Sequence, residues 1–454
     1  MYRWKSQPSP ISHAVCLLSV LGCLLSDTTQ QVCRAGAPSI AKNWHQWRGP
    51  RGDGTAPHGR PPIHWDAKRN IKWQVELPGQ GSATPIVWGD RIYVLTAIAT
   101  SRPAPAEPAP DPRSKTRPPA HFVRFVALCL NRADGQTLWQ RTLNETVPHE
   151  GRHPTHGYAS ASPTTDGTHL YVSFGSQGIY CLSLNGELVW KRELGQMRTR
   201  YGWGEAVSPV VHGDLLVVNW DHEDQSFVVV LDKRTGQTRW RRDRDEPTTW
   251  ATPLIASSTG KAQLVISGTR RVRSYDLANG TLIWECGGQT VNAIPSPLAA
   301  DGVVYCMSGY RGAHACAIPL NSQGDLTGTN QVLWRHDQGT PYVPSPVLFQ
   351  KRIYFTRTNS GVLTCLDTDT GETIFDRRRL PGISGMYASP VVADGRIYFV
   401  GRDGTTTVVR AGRELEVLAT NKLNAPIDAS PAIVGDQLYL RATNRLFCIS
   451  GSTP

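Results

Sequence analysis

The chain has 454 residues, of which 42 are glycine, 33 are proline and 39% are hydrophobic. These proportions allow a sizeable core and predict many turns. No long segment beyond the N-terminus has the apolar periodicity of a helix, and this absence argues against a helical protein. The net charge of +11 favours anionic partners, but the basic residues are scattered along the chain, so we do not predict nucleic-acid binding.

Residues 1–41 are predicted to be an export signal and leader. A basic start precedes an apolar run, Ala14–Leu25, that is too short to span a bilayer comfortably. Cleavage after Ala37 and cleavage after Ala41 both stay open. A loose lipoprotein-like motif ends at Cys23, and only lipidation there would attach the protein to a membrane. We therefore expect an exported protein of the periplasm or cell envelope, with a lipoprotein as the alternative.

The stretch from Asn43 to Pro57 contains Trp44, Trp47 and the triplet Arg51-Gly52-Asp53. A three-residue match in a Gly/Pro-rich turn is weak support for an adhesion motif. We expect the two tryptophans instead to anchor the incoming chain ahead of the first repeat.

The rest of the chain is an eightfold repeat. A Ser/Thr-Pro element followed by a Gly-containing turn and a Tyr-bearing strand begins at Thr84, Ser162, Ser208, Thr252, Ser296, Ser345, Ser389 and Ser430. A second element ends in an aromatic residue that recurs every 41 to 51 residues, and the seventh copy, near Leu418, lacks it. This period is typical of four-stranded propeller blades.

The eighth repeat ends one strand short, near Ser450. The missing strand is present at the other end of the chain, in Asn70–Leu77, which carries Trp73. We therefore predict an all-β fold over residues 42–454: an eight-bladed β-propeller of four-stranded antiparallel blades, closed by an N-terminal strand that completes the last blade. Repeated aromatic positions argue for packing between blades, and the predicted docking residues are Trp73, Trp139, Trp190, Trp240, Trp284, Trp334 and Phe375.

The repeat resembles that of the PQQ-like (quinoprotein-type) β-propellers, and the segment Leu231-Asp232, Gly236 and Trp240 is its closest match here. That family includes quinone-dependent alcohol dehydrogenases and the outer-membrane-assembly lipoprotein BamB, a non-catalytic scaffold. The chain departs from the dehydrogenases because it has no adjacent cysteines, no Cys-x-x-Cys-His motif and no complete calcium-site set. We expect no cofactor; PQQ with calcium is an alternative that the residues do not support.

In a propeller the connections between blades gather on one face, which we call the loop-rich face, and they surround the central channel there. The connections predicted on this face are rich in aromatic and charged residues. The candidate ligand- or partner-binding residues are Trp203, Asp221, His222, Glu223, Glu246, Trp250, Tyr310 and Arg311.

Three uses of this face stay open. One is a metal site built from His149, His153, His156 and His222 with neighbouring carboxylates, although no fixed ligand spacing supports it. Another is aromatic stacking on a sugar or quinone, with paired carboxylates as acid and base. The third is the binding of an envelope protein or polymer, with Arg–carboxylate pairs that merely tie blades together. We favour the third: a monomeric, non-catalytic scaffold without catalytic or metal-binding residues. The alternative is a quinone- or metal-dependent enzyme, either an oxidoreductase or a carbohydrate-active one.

Two further features have structural interpretations. Residues 99–120 form a Pro-rich insertion in the first blade, expected to be disordered or partly polyproline II. Cysteines at the third-strand position of four blades are expected to be core residues, whereas a Cys306–Cys316 disulfide at one hairpin stays open.

Overall fold

The computed structural model describes residue 1 and residues 39–105, 111–258 and 260–451. Most of the predicted export signal, including Cys23, lies outside the described residues. Within them, no helix is long and apolar enough to cross a membrane. Among residues 39–105, 111–258 and 260–451, the helices are three short 3-10 turns, Ile40–Lys42, Gly175–Gln177 and Arg200–Gly202.

The first four blades are antiparallel sheets whose strands run outward from the central axis in chain order. Two strands precede them, β1 (Thr55–Ala56) and β2 (Ile71–Glu76). The strands of blade 1 are β3 (Ile86–Trp88), β4 (Arg91–Pro103), β5 (His121–Asn131) and β6 (Thr137–Thr146). Those of blade 2 are β7 (Thr164–Thr165), β8 (His169–Ser173), β9 (Ile179–Ser183) and β10 (Leu188–Arg192). Those of blade 3 are β11 (Val210–His212), β12 (Leu215–Trp220), β13 (Ser226–Asp232) and β14 (Thr238–Arg244). Those of blade 4 are β15 (Leu254–Ser258), β16 (Lys261–Ser267), β17 (Arg271–Asp276) and β18 (Leu282–Gly287).

The other four blades repeat this arrangement. The strands of blade 5 are β19 (Leu298–Ala300), β20 (Val303–Ser308), β21 (His314–Pro319) and β23 (Trp334–His336), with β22 (Gly324–Asp325) joining the outer edge of blade 4. Those of blade 6 are β24 (Val347–Phe349), β25 (Arg352–Thr356), β26 (Val362–Asp367) and β27 (Thr373–Arg379). Those of blade 7 are β28 (Val391–Ala393), β29 (Arg396–Val400), β30 (Thr405–Arg410) and β31 (Glu416–Lys422). Those of blade 8 are β32 (Ala432–Val434), β33 (Gln437–Ala442) and β34 (Arg445–Ser450) together with β2.

The ring closes as predicted. Strand β2 is the outer strand of blade 8 and runs antiparallel to β34, with Trp73 opposite Cys448. The prediction of an eight-bladed propeller completed by an N-terminal strand is therefore confirmed.

Five of the six docking tryptophans join two blades in the same way. The Trp139 indole N–H donates to the Leu184 carbonyl of the next blade at 3.0 Å, and its ring lies against Gly186, where a Cβ would approach within 2.8 Å. Gly186 has a φ of +85°, so the turn needs glycine for its backbone as well as for the ring. Trp73, Trp190, Trp240 and Trp334 make equivalent bonds. The Trp284 indole N–H has no partner among the described residues, and the equivalent carbonyl of the next blade, that of Leu320, accepts the Gln263 side chain at 2.8 Å instead.

The Ser/Thr-Pro elements explain why the repeat needs a hydroxyl. The hydroxyl of each of these residues from Ser162 to Ser430 accepts the backbone N–H of the corresponding residue in the preceding blade at 2.9–3.3 Å. These seven bonds form a nearly closed ring around the channel, which we call the hydroxyl ring. Thr84 Oγ1 accepts no such bond among the described residues, so the ring opens where blade 8 meets blade 1.

The N-terminal stretch Asn43–Pro57 lies across the channel on the face opposite the connections, and we call it the plug. Trp44 pairs with Val87 of blade 1, and β1 pairs in parallel with β28 of blade 7. The buried Arg48 guanidinium donates to the carbonyl oxygens of Pro346 and Pro390. The Asp53 carboxylate of the Arg-Gly-Asp triplet accepts the Thr55 N–H at 2.8 Å and its hydroxyl at 2.7 Å, so its polar atoms serve a local turn.

The described part of the Pro-rich insertion differs from the expectation of disorder or partial polyproline II. Residues up to Pro103 continue β4, and Pro103 pairs with His121 of β5 after a register shift that accommodates the proline. Further along, the Lys115 N–H donates to the Tyr201 carbonyl at 2.9 Å and Thr116 Oγ1 donates to the Gly202 carbonyl at 2.5 Å. The described part of the insertion is therefore a long hairpin that packs against the connection between blades 2 and 3.

The seven cysteines in the described part of the chain are buried thiols. Cys129, Cys181, Cys365 and Cys448 lie on third strands, each opposite a docking aromatic residue. Cys306 and Cys316 face each other across β20 and β21, and both are free.

Candidate functional site

A cavity of about 390 Å³ opens at the centre of the loop-rich face, and we call it the funnel. Its lower wall contains residues of the hydroxyl ring, among them Ser208, Thr252 and Ser389. Its upper wall is mainly aromatic, and the residues that line it include Trp203, Trp250, Tyr310, Tyr342 and Tyr387 together with His153 and His156. Trp47 of the plug also lines the cavity, which places an aromatic side chain at the end opposite the mouth.

The aromatic side chains contact one another rather than lie apart. The rings of Trp203 and Trp250 stack with centroids 6.4 Å apart, and Tyr310 meets the edge of Trp203 at 6.5 Å. Tyr310 also stacks on Tyr342 at 4.6 Å. Connections from blades 2, 3 and 5 therefore combine into one continuous aromatic surface.

The connection that carries Trp203 is held by several polar contacts. The Glu150 carboxylate accepts the N–H of Thr199 at 2.9 Å and its hydroxyl at 2.7 Å. The Trp250 indole N–H donates to the Gly204 carbonyl at 2.7 Å. These bonds fix Trp203 between two anchored points, as a preformed binding surface requires.

The eight residues singled out from the sequence occupy two different places. Trp203, Trp250 and Tyr310 line the funnel, and the Arg311 guanidinium carbon lies 5.3 Å from the centroid of the Tyr310 ring. Asp221, His222, Glu223 and Glu246 are not among the funnel-lining residues. Asp221, His222 and Glu223 lie in the loop between β12 and β13 of blade 3, and Glu246 lies in the connection from blade 3 to blade 4.

The Asp221 carboxylate is fully buried against Arg244, whose Nε and Nη2 donate to it at 2.7 and 3.1 Å. Thr249 Oγ1 donates to the same carboxylate at 2.6 Å. The buried Glu246 carboxylate accepts the Arg270 N–H at 2.6 Å and an Arg273 Nη1 bond at 2.8 Å. Both carboxylates thus bind buried cations and loop N–H groups. This is the structural role given above as one alternative, in which Arg–carboxylate pairs tie blades together.

The other two candidates are also engaged. Glu223 Oε1 accepts the Thr248 hydroxyl at 2.8 Å, and His222 Nε2 bonds the Gln225 carbonyl at 3.1 Å. Of the loop histidines, His149 Nε2 bonds the Met197 carbonyl at 2.7 Å, and burial lowers the pKa of His156 to about 4. Within the described residues, no three His, Cys, Asp or Glu side chains form a group able to hold a metal ion.

A second, smaller cavity of about 40 Å³ lies beside the funnel. Glu150 and Glu205 line it, and burial raises the pKa of each to about 7. Glu205 accepts the N–H and the hydroxyl of Ser176, both at 2.6 Å. Sequence reasoning missed this pair, because neither glutamate stands in a recognisable motif.

Sequence reasoning also missed Tyr342, Tyr387 and Trp47 as funnel residues. One signal predicts eight residues of the wall: the residue two positions before each Ser/Thr-Pro element faces the funnel, because alternate residues of an extended segment share a side. That position holds Ser82, Ser160, Ala206, Trp250, Ile294, Val343, Tyr387 and Asp428, and all eight line the cavity.

The funnel does not fit PQQ with calcium. Calcium takes six to eight oxygen ligands, usually with carboxylates among them. Asp428 is the carboxylate of the funnel wall, and Arg402 holds it through two bonds of 2.7 and 3.0 Å. Asp221 and Glu246 are committed elsewhere, so no acidic cluster faces the cavity in the described part of the chain.

Comparisons with known proteins agree with this architecture. A PQQ-repeat family model (PQQ_2), described as "Outer membrane protein assembly factor BamB", matches residues 124–374 and 322–453. The outer membrane protein assembly factor BamB of Salmonella typhimurium is 24% identical over 292 residues, which cover 62% of this chain and 68% of that protein.

Similar solved structures include a BamB protein and two dehydrogenases. BamB from Moraxella catarrhalis matches with a TM-score of 0.53 and 14% identity, covering 80% of this chain and 99% of that one. A europium-containing methanol dehydrogenase matches with 0.59 and 11%, covering 88% and 89%. The quinohemoprotein alcohol dehydrogenase of Comamonas testosteroni matches with 0.60 and 9%, covering 93% and 82%. At such identities these structures show the shared fold alone.

Proposed function

Because the chain belongs to the family of outer membrane protein assembly factor BamB, we propose that it is an exported scaffold that binds a protein of the cell envelope through its loop-rich face. It binds this partner as a monomer and does not catalyse a reaction. Export depends on residues 1–41, and membrane attachment follows only if Cys23 is lipidated.

The observation that carries this proposal is the aromatic funnel. Tryptophan, tyrosine and arginine dominate the binding energy of protein interfaces, and Trp203, Trp250 and Tyr310 are grouped at one cavity mouth. The volume of about 390 Å³ is at the lower end for ligand pockets and suits one or two inserted side chains. Acid–base catalysis would need a carboxylate or imidazole that is not already committed to structure. The acidic groups described above are committed, and the funnel-lining His153 and His156 bond Thr155 and the Glu205 carbonyl at 2.8 and 3.1 Å. These contacts favour binding over catalysis.

Capture from a cell-envelope extract tests the proposal. Wild type is compared with the double variant Trp203→Ala/Trp250→Ala, and captured proteins are identified by mass spectrometry. The matched control is Leu188→Ala/Leu333→Ala, two apolar side chains on the outer rim that are 58% and 52% exposed. We expect wild type and control to capture the same envelope protein and the double variant to lose it. Retention of every captured protein by the double variant would contradict the choice of face.

A second measurement addresses the enzymatic alternative. Purified protein is incubated with PQQ and calcium, and both the bound chromophore and dye reduction with alcohols are recorded. The scaffold proposal predicts that PQQ does not bind in a fixed ratio to the protein, and that dye reduction does not exceed that of a sample without protein. Clear turnover that Trp203→Ala abolishes would refute it.

A further inference from the structure

Three cations surround the aromatic side of the funnel mouth. Lys115 Nζ lies 4.2 Å from the centroid of the Tyr201 ring, and the Arg200 guanidinium carbon lies 5.2 Å from the same centroid. The Arg311 guanidinium carbon lies over Tyr310. We call Lys115, Arg200 and Arg311 the cationic rim.

The cationic rim and the funnel are one surface. The rings of Tyr201 and Trp203 are 5.2 Å apart, and Trp203 in turn contacts Tyr310. A hydrogen bond from Arg200, its charge and the charges of Lys115 and Arg311 lower the pKa of the exposed Tyr201 phenol, so the three cations act on the same place.

None of the three rim cations forms a salt bridge within the part of the chain that the structure describes. Nearby arginines do: Arg402 is held by Asp428 and Arg198 by Asp224, at 2.7 and 2.6 Å. Cations left without a carboxylate around a cavity with an aromatic wall produce a positive potential at its mouth, which attracts an anionic partner.

The backbone of this surface is held in an uncommon conformation. Tyr201 has a φ of +56° and Arg311 a φ of +54°, in the left-handed region that non-glycine residues rarely adopt. Such residues persist only where surrounding structure holds them, and they cluster at binding sites. The Pro-rich insertion holds Tyr201, since the Lys115 N–H and Ser114 Oγ both donate to its carbonyl, at 2.9 and 3.2 Å.

We propose that the cationic rim and the funnel together bind an extended acidic protein segment, in which aspartates or glutamates flank an aromatic or apolar anchor. The anchor enters the funnel between Trp203, Trp250 and Tyr310, and its flanking carboxylates contact the cationic rim. This inference rests on the proposed function and specifies the chemistry of its partner. A cavity with an aromatic wall beside only three cations suits such a segment better than a uniformly charged polymer, whose binding depends mainly on many phosphate contacts.

Fluorescence anisotropy with defined peptides tests this inference. The probe is a fluorescein-labelled peptide, Gly-Glu-Asp-Phe-Trp-Asp-Glu-Gly, and its two controls replace the acidic residues by lysine or the Phe-Trp pair by Ser-Ser. The protein variants are Lys115→Gln/Arg200→Gln/Arg311→Gln and Trp203→Ala/Trp250→Ala. The matched charge control is Lys72→Gln/Arg378→Gln/Arg379→Gln, which removes three exposed cations from outer strands.

We expect the acidic aromatic peptide to bind about tenfold more tightly than either control peptide at low salt, a ratio of about 1.4 kcal/mol. The rim variant and 0.5 M NaCl should each remove most of that preference, because exposed charges are screened at short range. The charge control should bind like wild type. The aromatic double variant should lose affinity for the acidic peptide at any salt concentration.

The inference is overturned if the lysine peptide binds equally well, or if the rim variant retains the preference. It is also overturned if phosphatidylglycerol vesicles or a single-stranded oligonucleotide bind at the rim while the acidic peptide does not. If the rim variant still captures an envelope protein in a manner that depends on Trp203 and Trp250, the charge assignment fails and the proposed function stands. If capture is independent of both tryptophans, the proposed function fails.

Discussion

Replacing Asp221 by alanine should destabilise the fold, because its carboxylate neutralises a cation that has no access to water. The side chains of Asp221 and Arg244 are both 0% exposed, and Arg244 donates to Asp221 through two nitrogen atoms. Asn219 Nδ2 and Thr249 Oγ1 add further bonds to the same carboxylate at 3.1 and 2.6 Å. Asp221→Ala would leave the Arg244 guanidinium buried with Tyr275 as its remaining side-chain partner.

The magnitude follows from that geometry. Breaking a buried ion pair by removing one partner costs about 3–5 kcal/mol, since the other charge is left uncompensated. Replacing both partners by apolar side chains of similar size is far less costly. Asp221→Leu/Arg244→Met should therefore recover more than half of the loss, with the remainder reflecting the unpaired Asn219 and Thr249 groups.

Urea unfolding followed by tryptophan fluorescence measures these differences, and peptide binding is measured on the same samples. We expect Asp221→Ala to lower the free energy of unfolding by several kcal/mol and to leave peptide affinity unchanged where the protein is still folded. A variant with wild-type stability but lost binding would refute the structural assignment. It would place Asp221 in the binding surface instead.

Three further predictions concern the ring, the small cavity and the insertion. Ser345→Ala should cost about 1–3 kcal/mol by leaving a buried N–H of the preceding blade unpaired, whereas Thr84→Val should be nearly neutral because its hydroxyl accepts no such bond; urea unfolding compares the two. Since burial raises the pKa of Glu205 to about 7, this group stabilises the fold below pH 4.5 and loses that contribution as pH rises to 7. Glu205→Gln should therefore be more stable than wild type at pH 8 and similar at pH 5, and equal differences at both pH values would contradict this. Replacing residues 104–119 by a short Gly-Ser linker should keep the fold but increase hydrogen exchange around Trp203, and unchanged exchange there would show that the insertion does not support the funnel.

The fold was predictable because its information is local and repeated eight times. A hydroxyl that accepts the neighbouring blade's N–H and a tryptophan that packs on the next blade's glycine occur at fixed places in the repeat. The closing strand was recognisable because Trp73 stands in the same context as Trp139. Such repeated positions can be recognised in a single sequence, because each copy of the repeat supports the interpretation of the other copies.

The site was only partly predictable, because the partners of its polar residues are distant in sequence. Asp221 and Glu246 stand in loops that belong to the loop-rich face, but Arg244 and Arg273 reach them from neighbouring strands. Sequence spacing does not show whether a loop carboxylate meets an arginine or the solvent. The aromatic residues were easier to place, since Trp250 occupies the position before the Ser/Thr-Pro element that faces the channel in every repeat.

The Pro-rich insertion shows a different limit of prediction from sequence, that of composition as a guide to disorder. Its composition predicts disorder, because prolines remove ladder donors and charged residues favour solvent. A register shift before Pro103 lets β4 and β5 continue as a hairpin nonetheless. Contacts with Tyr201 and Gly202 then hold the far end, and composition alone does not reveal such tertiary contacts.

Site-specific photo-crosslinking in living cells tests the central claim most directly. A photoreactive amino acid is placed at position 310, beside the funnel, and in a separate variant at position 212, on the exposed turn at the end of β11 on the opposite face. We expect one discrete envelope-protein adduct from position 310 and none from position 212, with the adduct lost when Trp203→Ala/Trp250→Ala is added. An adduct from position 212 alone, or one from position 310 that survives the double substitution, would contradict binding through the funnel.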